Sequence, residues 1–194
     1  TDLKVIYHPL NFKRNSVVFE DKRIRITSFP LKHRISCCGF LFQELPTDKH
    51  LDKHAIEKYD IPISQRMNIK NGADLILADG TVVPNGEITI PANPTRSYGF
   101  CTDTVALMKI VPTIAAVDLL YHEATFAADL ADLAKKTFHT TSVQAAEIAS
   151  AAAAKKLLIG HFSSRYNDIS FLVDEARAIF PDTYAANDGD CYEL

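Results

Sequence analysis

The sequence predicts a layered α/β fold, and three observations carry that reading. From Ser97 onward the runs SYGFCTD, AVDLLYHEA and KLLIGHF are short and nearly all apolar, as in strands buried on both faces. Helical segments alternate with them, the pattern of helices laid on a sheet. Of the 194 residues 47% are hydrophobic and the net charge is −3, so the chain has the apolar content of a core and not the charge of a disordered polyion.

Taken in order, LKVIYH, SVVFE, RIRITSF and GFLFQEL are β-branched or aromatic runs with partial alternation and short polar breaks, which predicts an antiparallel meander. Thr47 or Asp48 can cap a helix reaching about Lys58, with Leu51, Ala55, Ile56 and Tyr59 as its apolar stripe. Between Asp60 and Pro94, the signals Pro62, Asn71-Gly72, Asp79-Gly80 and Pro84-Asn85-Gly86 predict turns joining short strands. Helices are expected over residues 104–114, 127–135, 141–154 and 168–180. The third is the clearest, since Thr141 or Ser142 can cap it and its alanines are the best helix formers. Neither a repeat nor a low-complexity tract interrupts the chain.

Composition excludes several classes. No apolar run approaches the roughly 20 residues of a membrane-spanning helix, and TDLKVIYHPL has no signal-peptide core, so a cytoplasmic chain is expected. The cysteines Cys37, Cys38, Cys101 and Cys191 form no C-x-x-C, which speaks for reduced thiols over a disulfide framework or zinc knuckle. Charge is uneven: residues 1–70 hold 13 Lys and Arg against 8 Asp and Glu. The basic residues gather in Lys13-Arg14, Lys22-Arg23-x-Arg25 and Lys32-His33-Arg34, a distribution that suits either a polyanion or a solvated strand edge.

Three of the buried runs end in polar residues of the kind that bind metals, and strand ends are where α/β folds place their sites. Asp103 follows SYGFCT, His122-Glu123 follows DLLY and His161 follows KLLIG. Histidine and aspartate suit zinc, and a carboxylate can bridge two ions. His33, after RIRITSFPL, is a fourth candidate. His50 and His54, spaced i, i+4 on the expected helix, lack the H-E-x-x-H acid, and His8 has no visible partner; all three read as surface or structural.

The strings PLKHRISCCGF, FCTDT, YHEATF, FHTTSVQAAEIA and GHFSSRY, in that order, resemble ribonuclease Z, the tRNA 3′-processing endonucleases of the metallo-β-lactamase superfamily. The resemblance runs from about Phe29 to Asp188 and implies an αββα sandwich. It implies that His33 binds one zinc, Asp103 bridges two and His161 binds the other. It further implies a catalytic His122-Glu123 pair, with His122 protonating the leaving oxygen, and a substrate-binding set of His139, Thr140, Thr141 and Arg165. Arg165 and Tyr166 serve equally well as phosphate contact or loop lock. A histidine acid and paired ions are what phosphodiester hydrolysis near neutral pH requires.

The family's H-x-H-x-D-H string does not occur here. Residues 1–194 are therefore expected to be the C-terminal part of one metallo-β-lactamase-fold domain, partnered by a missing N-terminal half, with zinc bound weakly or not at all and activity absent in this part alone. Residues 45–96 are expected as a turn-rich insertion with a reduced substrate arm, because Ile61-Pro62-Ile63-Ser64 stands where P-P-G-P is usual. Precursor tRNA is the expected substrate and a homodimer the expected assembly. Hydrolysis of another small phosphodiester or ester, and a metal-free binding or assembly module, are the alternative readings.

Overall fold

Alternation in the N-terminal region produces three antiparallel strands in the computed structural model, which describes residues 4–193: β1 (Ser16–Glu20), β2 (Ile24–Pro30) and β3 (Cys38–Glu44). The strand expected at LKVIYH does not form. Residues 4–9 carry no ladder and lie exposed, with Pro9 removing a donor, while Leu3 lies outside the described residues. Two compact units emerge, Thr1–Glu44 with Arg96–Leu194, and Leu45–Thr95.

The second unit has a core of its own, built on Ala55, Ile61, Ile69, Leu75, Val83 and Ile88. Its elements are β4 (His50–Leu51), α1 (Lys53–Tyr59), α2 (Ile63–Lys70), β5 (Leu75–Ile76), β6 (Val82–Val83), α3 (Asn85–Ile88) and β7 (Thr89–Ile90). The helix expected from Thr47 or Asp48 begins later, because Asp52 caps it by accepting from the His54 amide. Its expected apolar stripe does pack on this core. His50 is consequently in β4 and His54 in α1, so they share no helix face, and both are exposed. Helix α2 stands where only turns and strands were expected: Pro62, read as a breaker, instead starts a helix as its N-cap. Buried Asn85 organises the unit, donating to the Ile69 and Ala73 carbonyls and accepting from Lys49 Nζ.

The first unit continues with β8 (Ser97–Cys101), β9 (Leu119–Glu123), α4 (Ala131–Thr137), α5 (Ser142–Ala151), β10 (Lys156–Gly160), α6 (Ser170–Arg177) and β11 (Thr183–Ala185). Its seven-stranded sheet runs β1-β2-β3-β8-β9-β10-β11, antiparallel as far as β8 and parallel from β8 to β11. Residues 104–114, expected as helix, keep only the 3-10 turn Met108–Ile110, since Pro112 breaks any longer one. The helix at 141–154 is α5, opened by a full capping box: Thr141 Oγ1 accepts from the Gln144 amide and Gln144 accepts from the Thr141 amide. The last expected helix is the shorter α6. Strand β11 escapes sequence patterning because it is three residues long.

Period-two alternation gives the sheet two different faces. Leu41, Cys101, Leu120, Leu157 and Ile159 enter the core with α5 and α6 residues such as Ala145, Ala149, Val173 and Ala176. On the opposite face the cross-strand rows Phe40–Phe100–Tyr121 and Phe42–Tyr98 form a half-buried aromatic ladder, with Phe100 stacked on Tyr121 at 4.9 Å and Phe42 on Tyr98 at 5.7 Å. Where the chain leaves β3 and rejoins at β8, Arg96 forks onto Glu44 (Nη2 to Oε1 2.5 Å, Nε to Oε2 3.0 Å), and the Glu44 amide donates to the Arg96 carbonyl.

Gly160 ends β10 under the Tyr121 ring, where a Cβ would come within 2.6 Å of the hydroxyl and 2.9 Å of the ring edge. Gly160→Ala should therefore lower stability by about 1–3 kcal/mol in urea unfolding. The loss should shrink when Tyr121→Leu is made in the same chain, because the obstacle is that ring.

Candidate metal and catalytic centre

Neighbours in a strand point to opposite faces, and this separates His122 from Glu123. His122, in register with Cys101 and Ile159, is on the helix side of the sheet and fully buried. Its Nδ1–H donates to the Glu123 carbonyl at 2.8 Å, and its Nε2 has no partner among the described residues. Glu123, in register with Gly160, belongs to the other face and enters the centre.

The Glu123 carboxylate, itself fully buried, gathers donors from three loops. The Thr104 amide reaches Oε1 at 2.5 Å; the Thr140 amide and Thr125 hydroxyl reach Oε2 at 3.1 and 2.6 Å. His139 Nδ1 donates to it at 3.0 Å. These bonds assign the histidine tautomers. Thr125 has one proton and gives it to Glu123, so at 2.9 Å it accepts from His161 Nδ1–H. His33 Nδ1–H donates to the Phe138 carbonyl at 3.1 Å. In His33, His139 and His161 alike, Nδ1 is tied to an oxygen and Nε2 keeps its lone pair, the arrangement that prepares an imidazole to bind a metal.

These rings converge. His139 lies between His33 and His161, with ring centroids 5.1 and 5.2 Å away, and Asp103 Oδ1 is 3.5 Å from His161 Nε2. Ligand atoms of His33, Asp103 and His139 lie within 4.8 Å of one another, as do those of Glu123, His139 and His161. Three residues at the rim, Asp103 (φ 51°), Phe138 (φ 65°) and His161 (φ 61°), hold left-handed backbone conformations that only glycine adopts freely. Such conformations persist where surrounding contacts impose them and cluster at working sites. Here Asp103 O accepts from Cys37 Sγ, the Phe138 amide bonds the Lys135 carbonyl, and Thr125 holds the His161 ring. The nitrogen and carboxylate donors fit a divalent cation such as zinc.

The structure thus brings His33, Asp103, His161, His139 and Glu123 together and leaves four expected residues aside. His122 is buried on the opposite side of the sheet and belongs to neither group of clustered ligand atoms. Thr140 and Thr141 are buried and committed internally: Thr140 Oγ1 donates to the Thr104 carbonyl and its amide to Glu123, while Thr141 closes the α5 capping box. Neither is free to bind substrate. Arg165 is exposed, with its guanidinium over Phe126 at 5.0 Å and Nε on Ser163 Oγ. Tyr166 accepts from the Ala127 amide. Sequence reasoning passes over Thr104 and Thr125, which orient Glu123 and His161. A signal is available in the motifs, since a hydroxyl follows Asp103 in FCTDT and another lies two residues after Glu123 in HEAT.

No family model matches the chain. It is homologous to curated proteins named ribonuclease Z: 44% identical over 191 residues to that of Bacteroides fragilis, 45% over 191 residues to that of Bacteroides thetaiotaomicron, and 46% over 185 residues to that of Porphyromonas gingivalis. These alignments cover 98%, 98% and 95% of this chain and 63%, 60% and 61% of the relatives. The chain therefore spans about three fifths of the length of the curated relatives it matches. Among solved structures, the metallo-β-lactamase fold protein YhfI of Bacillus subtilis aligns with a TM-score of 0.55 at 16% identity, over 88% of this chain and 48% of that one. The fold is that of the metallo-β-lactamase proteins.

Two outcomes follow from the geometry. Glu123→Gln replaces a carboxylate that receives four donors by an amide with one oxygen, and should cost about 3–5 kcal/mol in urea unfolding. Burial pushes the His122 imidazole below its ordinary pKa. The unfolded chain then takes up the proton first, so this contribution is complete above about pH 6.5 and declines below it, by up to about 1.4 kcal/mol per pH unit. His122→Gln should remove that part of the stability loss between pH 6.5 and 5, read as the difference between the two unfolding profiles.

Proposed function

We propose that this chain is the C-terminal part of a ribonuclease Z, a zinc-dependent endoribonuclease that removes the 3′ trailer from precursor tRNA. One observation carries the reading: the Glu123–His139 pair is held within reach of His33, Asp103 and His161. His33, Asp103 and His161 would hold the metal, which when bound supplies a Lewis acid and lowers the pKa of a water. Glu123 holds the His139 Nδ1–H and orients the ring, so that Nε2 is the atom that would take up a second proton and pass it to the departing ribose oxygen. His139 thus takes the acid role that the sequence pattern assigned to His122. Thr125 and Phe138 O keep His161 and His33 pointing inward.

The remaining ligands must come from outside residues 1–194, which fits the alignment to about three fifths of the relatives. The half-buried aromatic face of the sheet suits cover by that further chain. Among the described residues no helix is long and apolar enough to cross a membrane. A homodimer in the cytoplasm is part of this proposal.

The test joins this chain to the N-terminal part of the Bacteroides fragilis relative and follows trailer removal and metal content together. Asp103→Ala should lose both. His139→Ala should lower cleavage by about 10²–10⁴ with metal retained, whereas His122→Gln should cleave within a few-fold of the parent. Metal loss with His139→Ala, or cleavage unaffected by it, would refute the assigned roles.

A further inference from the structure

A second cationic feature shares no residue with this centre. Lys13, Arg14 and Lys109 line a notch of about 160 Å³ over Phe29, Pro30, Ile110 and Thr113. The fold assembles it through side-chain hydrogen bonds. Asn11 Oδ1 accepts from the Lys13 and Arg14 amides at 2.9 and 3.2 Å, which bends the chain there. Asn15 Nδ2 donates to Thr113 Oγ1 at 2.9 Å, which ties that bend to the segment carrying Lys109. Phe29 and Ile110 are buried and give the notch a fixed floor.

Arg25, Arg96, Lys155 and Arg177 each form an ion pair, but Lys13, Arg14 and Lys109 form none among the described residues. Three cations held together without a counter-charge repel one another, and an anion relieves that repulsion. The volume falls below the roughly 300–1,000 Å³ of small-molecule pockets, so it suits one anionic group. Arginine offers such a group the paired donors that match phosphate geometry. The second unit, residues 45–95, carries five Lys and Arg against seven Asp and Glu and has no excess charge for the task.

We infer that the Lys13–Arg14–Lys109 notch binds a backbone phosphate of the RNA substrate, apart from the scissile one. This rests on the precursor-tRNA reading and adds a second point of attachment to it.

The experiment titrates the joined protein of the preceding test against a labelled hairpin with a 3′ trailer by fluorescence anisotropy between 50 and 200 mM KCl. K13E/R14E and K109E should each weaken binding and flatten the slope of log affinity against log salt by about 0.9 for each phosphate no longer neutralised. K70E, in the other unit, should leave it unchanged. Unaltered thermal midpoints confirm folding, and K13Q/R14Q replaces any variant that shifts. The notch is refuted by unchanged slopes, by an effect of K13E/R14E without one of K109E, by an equal effect of K70E, or by no binding at 50 mM. RNA displacement by polyglutamate alone, with the same notch dependence, would instead assign an acidic protein partner and refute the phosphate. Notch-dependent binding of duplex DNA as tight as of the hairpin would keep the notch and count against precursor tRNA. RNA binding that ignores the notch but is lost in K32E/K135E would do the reverse.

Discussion

A buried carboxylate is tolerable only when its hydrogen bonds are made, and the arrangement of this site follows from satisfying one of them. Glu123 sits at the end of β9 with no solvent, and its donors come from the loop after β8, the turn after β9 and the segment between α4 and α5. Each donor has a further duty. Thr125 also receives His161, Thr140 also bonds the Thr104 carbonyl, and His139 belongs to both groups of ligand atoms. Losing the carboxylate would unfasten three loops, so its burial positions the chemistry and the chain together.

Backbone conformations at Asp103, Phe138 and His161 belong to the same logic. Each costs on the order of 1 kcal/mol or more in an L-residue, a cost that regular structure avoids. All three fall where an element ends and a ligand or its neighbour begins. A strand end can aim a side chain into a cluster only by turning sharply, and the left-handed bend supplies the turn.

Much of this is legible in the residues. Apolar runs 97–103, 119–123 and 156–160 mark the parallel strands, the capping signature marks α5, and the ends of those strands supply Asp103, Glu123 and His161. His33 and His139 come from motif resemblance, since a lone histidine in a loop has no period to betray it. The sequence reading treats His122 and Glu123 as one unit, whereas strand alternation sends the two residues to opposite faces of the sheet. Helix α2 and strand β11 are hidden for different reasons. Pro62 looks like a breaker until it is seen to begin a helix, and three residues are too few to show alternation. The hydroxyls of Thr104 and Thr125 follow no periodicity, because their work depends on loops far apart in sequence.

The Glu44–Arg96 fork has a consequence for the evolution of this scaffold. Around fifty residues leave the sheet and return at two positions already joined by a paired guanidinium and a backbone bond. The entropy of closing such an excursion rises only by about 0.6 kcal/mol for each doubling of its length. What lies between the two residues can therefore be lengthened, shortened or exchanged wholesale while the register of β3 on β8 stays fixed. The fork works as a cassette boundary, allowing the inserted unit to drift in size and composition independently of the ligand cluster built on the same sheet.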